Sequence, residues 1–130
     1  MLHPRIIPCL LIRDGGLFQS QKFSSYNYLG DPLNTVRIFN EKEADELMIF
    51  DIGASKNNRE PDYALLAKIA RECRMPLCYG GGIISVSQIE RLVGLGIERV
   101  ALNTSLIEHP KLLSDASSLV GSQSLVAVID

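Results

Sequence analysis

Five short apolar segments, separated by stretches of helical character, limit most strongly what this chain can fold into. They lie at residues 5–12, 47–52, 76–79, 99–105 and 124–130. Each has the length of a strand, and each gap is long enough to return the chain to the same edge of a sheet through a crossover. The alternation predicts an α/β fold of about four successive βα units with a parallel sheet, in one domain spanning residues 1–130.

The gaps between the apolar segments carry signals for helix starts. Asp31 and Pro32 suit the N-cap and first position of a helix that should end near Ala44. Ser87 and Glu90 have the S-x-x-E spacing of a capping box, which predicts a third helix over residues 88–95. The second and fourth helices should begin at residues 60–61 and 109–110 and end near residues 73 and 120.

The stretch after the first strand, residues 14–28, has no clear period. Long irregular loops are uncommon inside compact domains, and many of them are functional lids. A surface excursion without a function is an equally good interpretation of this stretch. The sequence therefore predicts an irregular loop here and leaves its role open.

Three consecutive glycines, Gly80, Gly81 and Gly82, follow the third strand directly. A turn without Cβ atoms lets a ligand approach the backbone N–H groups, and phosphate is the ligand that benefits most. Glycine runs also serve simply to turn a chain tightly. The run alone therefore leaves phosphate binding and tight packing as alternatives.

Polar residues also follow two other strands. Asp51 ends the second strand, where it is either part of a ligand site or the cap of the following loop. Asn103, Thr104 and Ser105 end the fourth strand and can cap a turn or hold an anion. Because they lie one strand away from the glycines, convergence on a single site favours the anion.

Composition argues against several classes of function. With a formal charge of −2, a pI near 5.7 and scattered basic residues, the chain has no footprint for nucleic acid. It shows neither a signal peptide nor an apolar run approaching the roughly 18 residues of a membrane span, so we expect a cytoplasmic protein. Three cysteines without C-x-x-C spacing predict buried reduced thiols, and two isolated histidines predict no metal site.

Two architectures fit the repeating pattern. One is a flavodoxin-like sheet of five strands with helices on both faces, although its closing fifth helix is missing here. The other is the N-terminal half of a (β/α)8 barrel, which as a whole needs about 250 residues. In that second case the chain is part of a longer barrel.

Several short motifs along the chain have a characteristic spacing. They are Arg5 to Leu10, Asp14-Gly15, Gly30-Asp31-Pro32, Asp45-Glu46-Leu47, Asp51-Ile52, residues 76–82, Asn103-Thr104, and residues 121–130. Taken together, these motifs resemble one family, the cyclase subunit of imidazole glycerol phosphate synthase. The resemblance covers essentially the whole chain and implies the half-barrel fold.

The resemblance also implies an activity in histidine biosynthesis. A separate glutaminase subunit would supply ammonia through the barrel core to a ribonucleotide substrate that carries a phosphate at each end. Ammonia attack, cleavage and ring closure would yield imidazole glycerol phosphate and an aminoimidazole carboxamide ribonucleotide. No metal or other cofactor is implied.

Site residues are carried over from the family position by position. Asp130 would be a catalytic carboxylate that gives or takes a proton at the mouth of the barrel. Arg5, Glu46 and Arg99 would form a charged ring that guards the passage of ammonia at the opposite face, with Arg99 where the family usually has lysine. The phosphorylated substrate would contact Gly81, Gly82, Asn103, Thr104, Asp51 and Gln19.

Two departures from the family pattern put cyclisation in doubt. Leu11 stands where the family places a second catalytic aspartate, and Gln19 stands where a lysine is common. Losing a positioned acid or base typically costs about 10²–10⁴ in rate. These changes resemble a branch of the family in surface-sugar biosynthesis, in which the barrel would conduct ammonia for a sugar amidotransferase without cyclising.

A third hypothesis is a half-barrel without activity of its own, which acts only by association. The first and last strands of a half-barrel lack neighbours, and long apolar edges recruit other chains. We therefore expect the isolated chain to associate with itself through its open edges.

Overall fold

One mixed sheet of seven strands organises the computed structural model, which describes residues 4–21, 25–56, 59–102 and 110–128. The spatial order of the strands is β3-β2-β1-β4-β5-β6-β7. Their bounds are Cys9–Arg13 (β1), Gly16–Gln21 (β2), Ser25–Gly30 (β3), Leu47–Asp51 (β4), Leu77–Gly80 (β5), Arg99–Leu102 (β6) and Leu125–Ala127 (β7).

Helices connect the parallel strands of this sheet. Their bounds are Pro32–Glu41 (α1), Ile52–Lys56 (α2), Tyr63–Glu72 (α3), Val86–Gly94 (α4) and Lys111–Val120 (α5), and a 3₁₀ turn spans Ser122–Ser124. The βα alternation predicted from the sequence is confirmed. Among the described residues, the predicted boundaries lie within about four residues of the observed ones, whereas the strand ends predicted at residues 105 and 130 lie outside the described residues.

The order of the parallel strands separates the two candidate architectures. β1, β4, β5, β6 and β7 lie side by side in chain order, and every pair of neighbours is parallel. In a flavodoxin-like sheet the first strand would lie between the second and the third. Here the second parallel strand, β4, lies between the first and the third, as in a (β/α)8 barrel. The half-barrel interpretation is confirmed and the flavodoxin-like alternative is wrong.

Alternation along the strands gives the sheet two different faces. Leu10 and Ile12 on β1, with Leu47 and Ile49 on β4, are buried in one core cluster with the helix residues. We call this side the helix face. The residues between them, such as Leu11, point to the opposite side and are half-buried or exposed. We call that side the inner face, because it would line the interior of a closed barrel.

The stretch after β1 is a β-ribbon, so the prediction of an irregular loop was wrong. Asp14 (φ 51°) and Gly15 (φ 79°) turn the chain, and β2 then pairs antiparallel with β1 from Leu11↔Phe18 to Arg13↔Gly16. β3 pairs antiparallel with β2 in turn. Such a ribbon is held by backbone hydrogen bonds at a sheet edge, and it needs no strict alternation of apolar residues.

The first helix starts as predicted, whereas the second starts slightly later. The Asp31 side chain accepts a hydrogen bond from Leu33 N at 3.0 Å, and Pro32 opens α1. The N-cap of α3 is Asp62, which accepts from Leu65 N at 3.1 Å, so the helix does not begin at residues 60–61. Aspartate is the stronger N-cap residue, which explains the shift.

The predicted capping box of the third helix was placed two residues too late. The Ser85 hydroxyl caps α4 by accepting a hydrogen bond from Gln88 N at 3.3 Å, and the Gln88 side-chain oxygen accepts one from the Ser85 backbone N–H. Ser87 and Glu90 are both exposed on the helix surface. Glutamine serves as well as glutamate at the third helical position, so two S-x-x-E/Q boxes overlap in this sequence.

Burial of the cysteines was predicted correctly for only part of the set. Cys78 is 1% exposed and Cys73 is half-buried, but Cys9 is exposed on the inner face. All three thiols are free. Cys9 lies in the apolar run 5–12, and such a run does not show which of its residues face the helices and which face the inner side of the sheet. Within the described ranges, no helix has the length and apolar character needed to cross a membrane.

Candidate functional site

The carboxyl ends of the parallel strands meet along one edge of the sheet. Ile12 is in register with Asp51, Phe50 with Gly80, and Gly80 with Ala101. The ends of four βα units therefore converge at this edge, which is where α/β barrels place their active sites. Asn103, Thr104 and Asp130 follow β6 and β7 in sequence but lie outside the described residues, so their roles stay predictions.

The glycine turn packs tightly against the preceding βα connection. Gly81 has φ 129°, and a Cβ there would lie 2.5 Å from the carbonyl oxygen of Asp51. Gly82 has φ 70°, and a Cβ there would overlap the carbonyl oxygen of Arg59. The backbone itself therefore requires glycine at both positions. Close packing, one of the two alternatives drawn from the sequence, is shown, and phosphate binding stays a prediction.

Tyr79, the residue before the glycine turn, is hydrogen-bonded to it through its side chain. Its side chain is fully buried, and its hydroxyl donates a hydrogen bond to the Gly81 carbonyl oxygen at 2.9 Å. Burial raises the pKa of Tyr79, with a smaller contribution from the charge of Asp51. The hydroxyl therefore stays protonated and remains a donor at any physiological pH.

Asp51 has a local structural partner. Its carboxylate accepts a hydrogen bond from Ala54 N at 2.9 Å, which caps the short helix α2. Burial raises the pKa of Asp51, while the N–H groups of Ala54 and Gly53 and the charge of Arg59 act in the opposite direction. The capping interpretation is confirmed, and contact with substrate stays a prediction.

Leu11 lies in an apolar row that crosses the inner face. It is half-buried and in register with Phe50 on β4, which is itself in register with Gly80 on β5. The Phe50 ring occupies the space above Gly80, where a Cβ would lie 2.8 Å from two ring atoms. The place of the expected second carboxylate is therefore taken by an apolar, half-buried side chain. Gln19 lies on β2 in register with Asn27, and its contact with substrate stays a prediction.

The three residues predicted to form a charged ring do meet at the opposite end of the strands. Arg5 Nη2 lies 3.4 Å from Glu46 Oε2, and Arg99 Nη1 lies 3.4 Å from Glu46 Oε1. The Glu46 side chain is only 3% exposed, whereas the arginines are 52% and 39% exposed. Oε1 has this ion pair but no hydrogen bond. One buried carboxylate is thus held between two partly hydrated guanidinium groups.

Two polar contacts near the glycine turn were missed by the sequence analysis. Arg59 Nη2 lies 2.9 Å from Asp14 Oδ1 and joins the β1–β2 turn to the connection after α2. Gln88 Nε2 donates to Glu60 Oε1 at 3.2 Å. The S-x-x-Q spacing could have identified Gln88 as a capping residue, but no local signal shows which distant side chain it meets. Among the described residues, no group of three or more His, Cys, Asp or Glu is placed to hold a metal ion.

Comparisons with known proteins agree with this geometry. The family model described as "Histidine biosynthesis protein" matches residues 5–130. Similar relatives are provisionally named imidazole glycerol phosphate synthase subunits: HisF of Leptospira borgpetersenii (53% identical), hisF3 of Vibrio vulnificus (53%) and hisF2 of Campylobacter jejuni (38%). All of this chain is covered in each case, but only 51%, 50% and 52% of the relative.

The chain thus spans about half the length of the curated relatives that it matches. None of these three names refers to surface sugars, so the comparisons do not favour that alternative. The resemblance drawn from the motifs is confirmed: this chain belongs to the histidine biosynthesis protein family.

Proposed function

We propose that this chain provides the first half of the cyclase barrel of imidazole glycerol phosphate synthase. The observation that carries the proposal is that the two ends of the inner face differ. The charged cluster of Arg5, Glu46 and Arg99 lies at the amino ends of the strands, and the glycine turn lies at their carboxyl ends. A small nucleophile taken up at one end would reach a phosphorylated substrate at the other.

The substrate end of this proposal uses the glycine turn and its neighbours. One phosphate of the ribonucleotide would rest on the backbone amides of Gly81 and Gly82 and on Asn103 and Thr104. Asp130 would act as general acid or base beside the reacting carbons. Asp51 and Gln19 complete the set of substrate residues, with Asp51 acting through the connection that it caps.

The other end of the barrel would receive ammonia. A glutaminase partner is part of the proposal, and the relatives' description as subunits supports an assembly of more than one chain. Next to the glycine turn, the apolar row of Leu11, Phe50 and Gly80 crosses the inner face at the carboxyl end of this path. Apolar walls would pass neutral ammonia and hold back ammonium, because burying an unpaired charge is costly. A cytoplasmic setting also belongs to the proposal and is supported by the free thiols.

Leu11 favours a second candidate function. A leucine cannot transfer a proton, and here it lies half-buried in register with another apolar residue, Phe50. A barrel in which Leu11 replaces the acid would still conduct ammonia. A sugar amidotransferase would then use that ammonia to aminate its sugar substrate. The two candidates share the charged end and differ only in whether the ribonucleotide is cyclised.

The experiment that separates them restores the missing acid. The chain would be mixed with a polypeptide covering the second half of the Leptospira borgpetersenii relative and given the ribonucleotide with an ammonium salt. Leu11→Asp would be compared with the unchanged chain and with Leu11→Asn, which has similar size but cannot transfer a proton. Bulk ammonium removes any need for a glutaminase.

Three results are distinguishable in that experiment. Turnover of the unchanged chain within about tenfold of Leu11→Asp supports the cyclase, because a required acid or base contributes about 10²–10⁴. Turnover by Leu11→Asp alone supports the ammonia conduit. Failure of every form to bind the ribonucleotide would refute the phosphate site itself.

We further infer that the isolated chain associates with itself. Ile6 is 68% exposed and Ile7 is 38% exposed beside the first strand, and Ala127 on the last strand is also exposed. The expectation that the first strand lacks a neighbour was wrong for Leu11 to Arg13, which pair with β2, so the inference rests on the residues before Leu11 and on the last strand. Exposed apolar strand edges pair with other chains. Sedimentation should show oligomers at micromolar concentration, and a sharp monomer boundary with cooperative unfolding would contradict this inference.

A further inference from the structure

Gln88 is a buried polar residue to which the proposed chemistry assigns no role. It lies in the first turn of α4 and is 6% exposed. Its side-chain oxygen accepts hydrogen bonds from Ile84 N at 2.7 Å and Ser85 N at 3.1 Å. Its amide nitrogen donates to Glu60 Oε1 at 3.2 Å. Two N–H donors on one side and a carboxylate on the other fix the orientation of the amide.

These contacts join the two segments that enclose the glycine turn. Ile84 and Ser85 lie directly after the turn, whereas Glu60 follows Arg59, whose carbonyl oxygen lies against Gly82. Gln88 therefore links the segment that follows Gly82 to the segment whose Arg59 carbonyl lies against Gly82. Because Gln88 occupies the N–H groups of Ile84 and Ser85, an anion at this turn would have to use the amides of the glycines or of Ile83.

We infer that Gln88 is a positioning residue that holds the glycine turn against the connection between α2 and α3 through Glu60. This inference rests on the proposed phosphate site, whose amides it would preorganise, because ordering a flexible turn on binding reduces affinity. A neutral amide suits the position. A glutamate there would cap the helix equally well but would face the Glu60 carboxylate.

That difference allows capping to be separated from positioning. Gln88→Glu keeps the acceptor for both N–H groups and keeps the capping box, but it cannot donate to Glu60. Adding Glu60→Gln supplies an amide donor on the other side and restores both the hydrogen bond and the net charge. Glu60→Ala breaks the link from the other side, and it also removes the acceptor of the Tyr63 hydroxyl, which lies 3.5 Å from Glu60 Oε1. Glu90→Ala, at an exposed position of the same helix as Gln88, is the matched control.

The first readout is amide hydrogen exchange at Ile84 and Ser85, whose N–H groups donate to Gln88, in the whole chain without ligand. Gln88→Glu and Glu60→Ala should accelerate exchange about tenfold, which matches the loss of one hydrogen bond to a charged group. The double variant should return to the original rate, and Glu90→Ala should not change it. Helix content should be the same in all forms.

The second readout is titration with inorganic phosphate, followed by the NMR shifts of the Gly81, Gly82 and Ile83 amides. Affinity should fall about tenfold in Gln88→Glu and Glu60→Ala and recover in the double variant. Unchanged exchange in both single variants, or no recovery in the double variant, would overturn the positioning role. If exchange behaves as expected but no form binds phosphate, the positioning role stands and the proposed phosphate site fails.

Discussion

Removing both arginines around Glu46 should destabilise the fold by more than the sum of the two single removals. Glu46 is buried between Arg5 and Arg99, and each of its carboxylate oxygens lies 3.4 Å from one guanidinium nitrogen. Either arginine alone still compensates the buried charge. Only the double removal leaves the carboxylate unpaired.

The magnitudes follow from burial. Two unit charges at this distance attract by about 5 kcal/mol at an effective dielectric constant of ~20, before desolvation is counted. Arg5 and Arg99 are 52% and 39% exposed, so solvent screening reduces each single contribution to about 1 kcal/mol. A carboxylate that is 3% exposed and has lost both partners should cost about 3–5 kcal/mol.

Urea unfolding followed by far-ultraviolet circular dichroism measures these differences. The set is Arg5→Met, Arg99→Met and the double variant, each in the original background and in Glu46→Gln, with methionine keeping part of the apolar side-chain packing. The double variant should lose about 3–5 kcal/mol, against a sum of about 2 kcal/mol for the single variants. In the Glu46→Gln background, all three changes should cost less than about 1 kcal/mol.

Additive losses in the original background would refute this reasoning, because they would mean that Glu46 finds water or another partner once an arginine is removed. The same conclusion would follow if Glu46→Gln left the cost of the double variant unchanged. Protein concentration must be held constant throughout, since self-association would add a shared contribution to every form.

Three further predictions concern glycines, one acid and the thiols. Gly82→Ala should destabilise by about 2–3 kcal/mol in the same urea assay, through its positive φ and the adjacent carbonyl, whereas Gly94→Ala, in open space on a helix, should stabilise by about 0.5–1 kcal/mol. Burial raises the pKa of Asp51, so its ionisation opposes folding. Asp51→Asn should therefore be at least as stable at pH 7, and this advantage should disappear as the pH falls from the raised pKa to below 3.8. Cys9 should be alkylated in the folded chain and Cys9→Ser should lose that reaction, while Cys78, whose pKa burial raises to about 12, should react only on unfolding.

The order of elements was predictable because helices and buried strands have local sequence signals, namely capping residues and short apolar runs. Asp31-Pro32 is a complete start signal within two residues, and it places α1 correctly. At the amino ends of the strands, the grouping of Arg5, Glu46 and Arg99 was predicted only through the family resemblance. They are far apart in the chain, and no periodicity indicates that the sheet brings them to one point.

The ribbon of β2 and β3, and the contacts of Gln88 with Ser85 and Glu60, were not predictable from such local signals. A ribbon at a sheet edge depends on backbone pairing with β1, which is a tertiary contact that leaves a weak side-chain pattern. Ser85 and Ser87 both begin acceptable capping boxes, and the choice between them depends on where the glycine turn releases the chain. Glu60 becomes a partner of Gln88 only once the strands have set the positions of their connections.

The ribbon at the edge of the sheet also sets a limit on how the barrel can be closed. β1 pairs with β2 over Leu11 to Arg13, so the outer backbone edge of β1 is already occupied at its carboxyl end. A strand added to this edge can use the residues before Leu11 and can slide no further. Closing a barrel requires a fixed stagger between its first and last strands. The ribbon therefore limits the register that a closing strand can adopt, and with it the shear that a closed barrel can have.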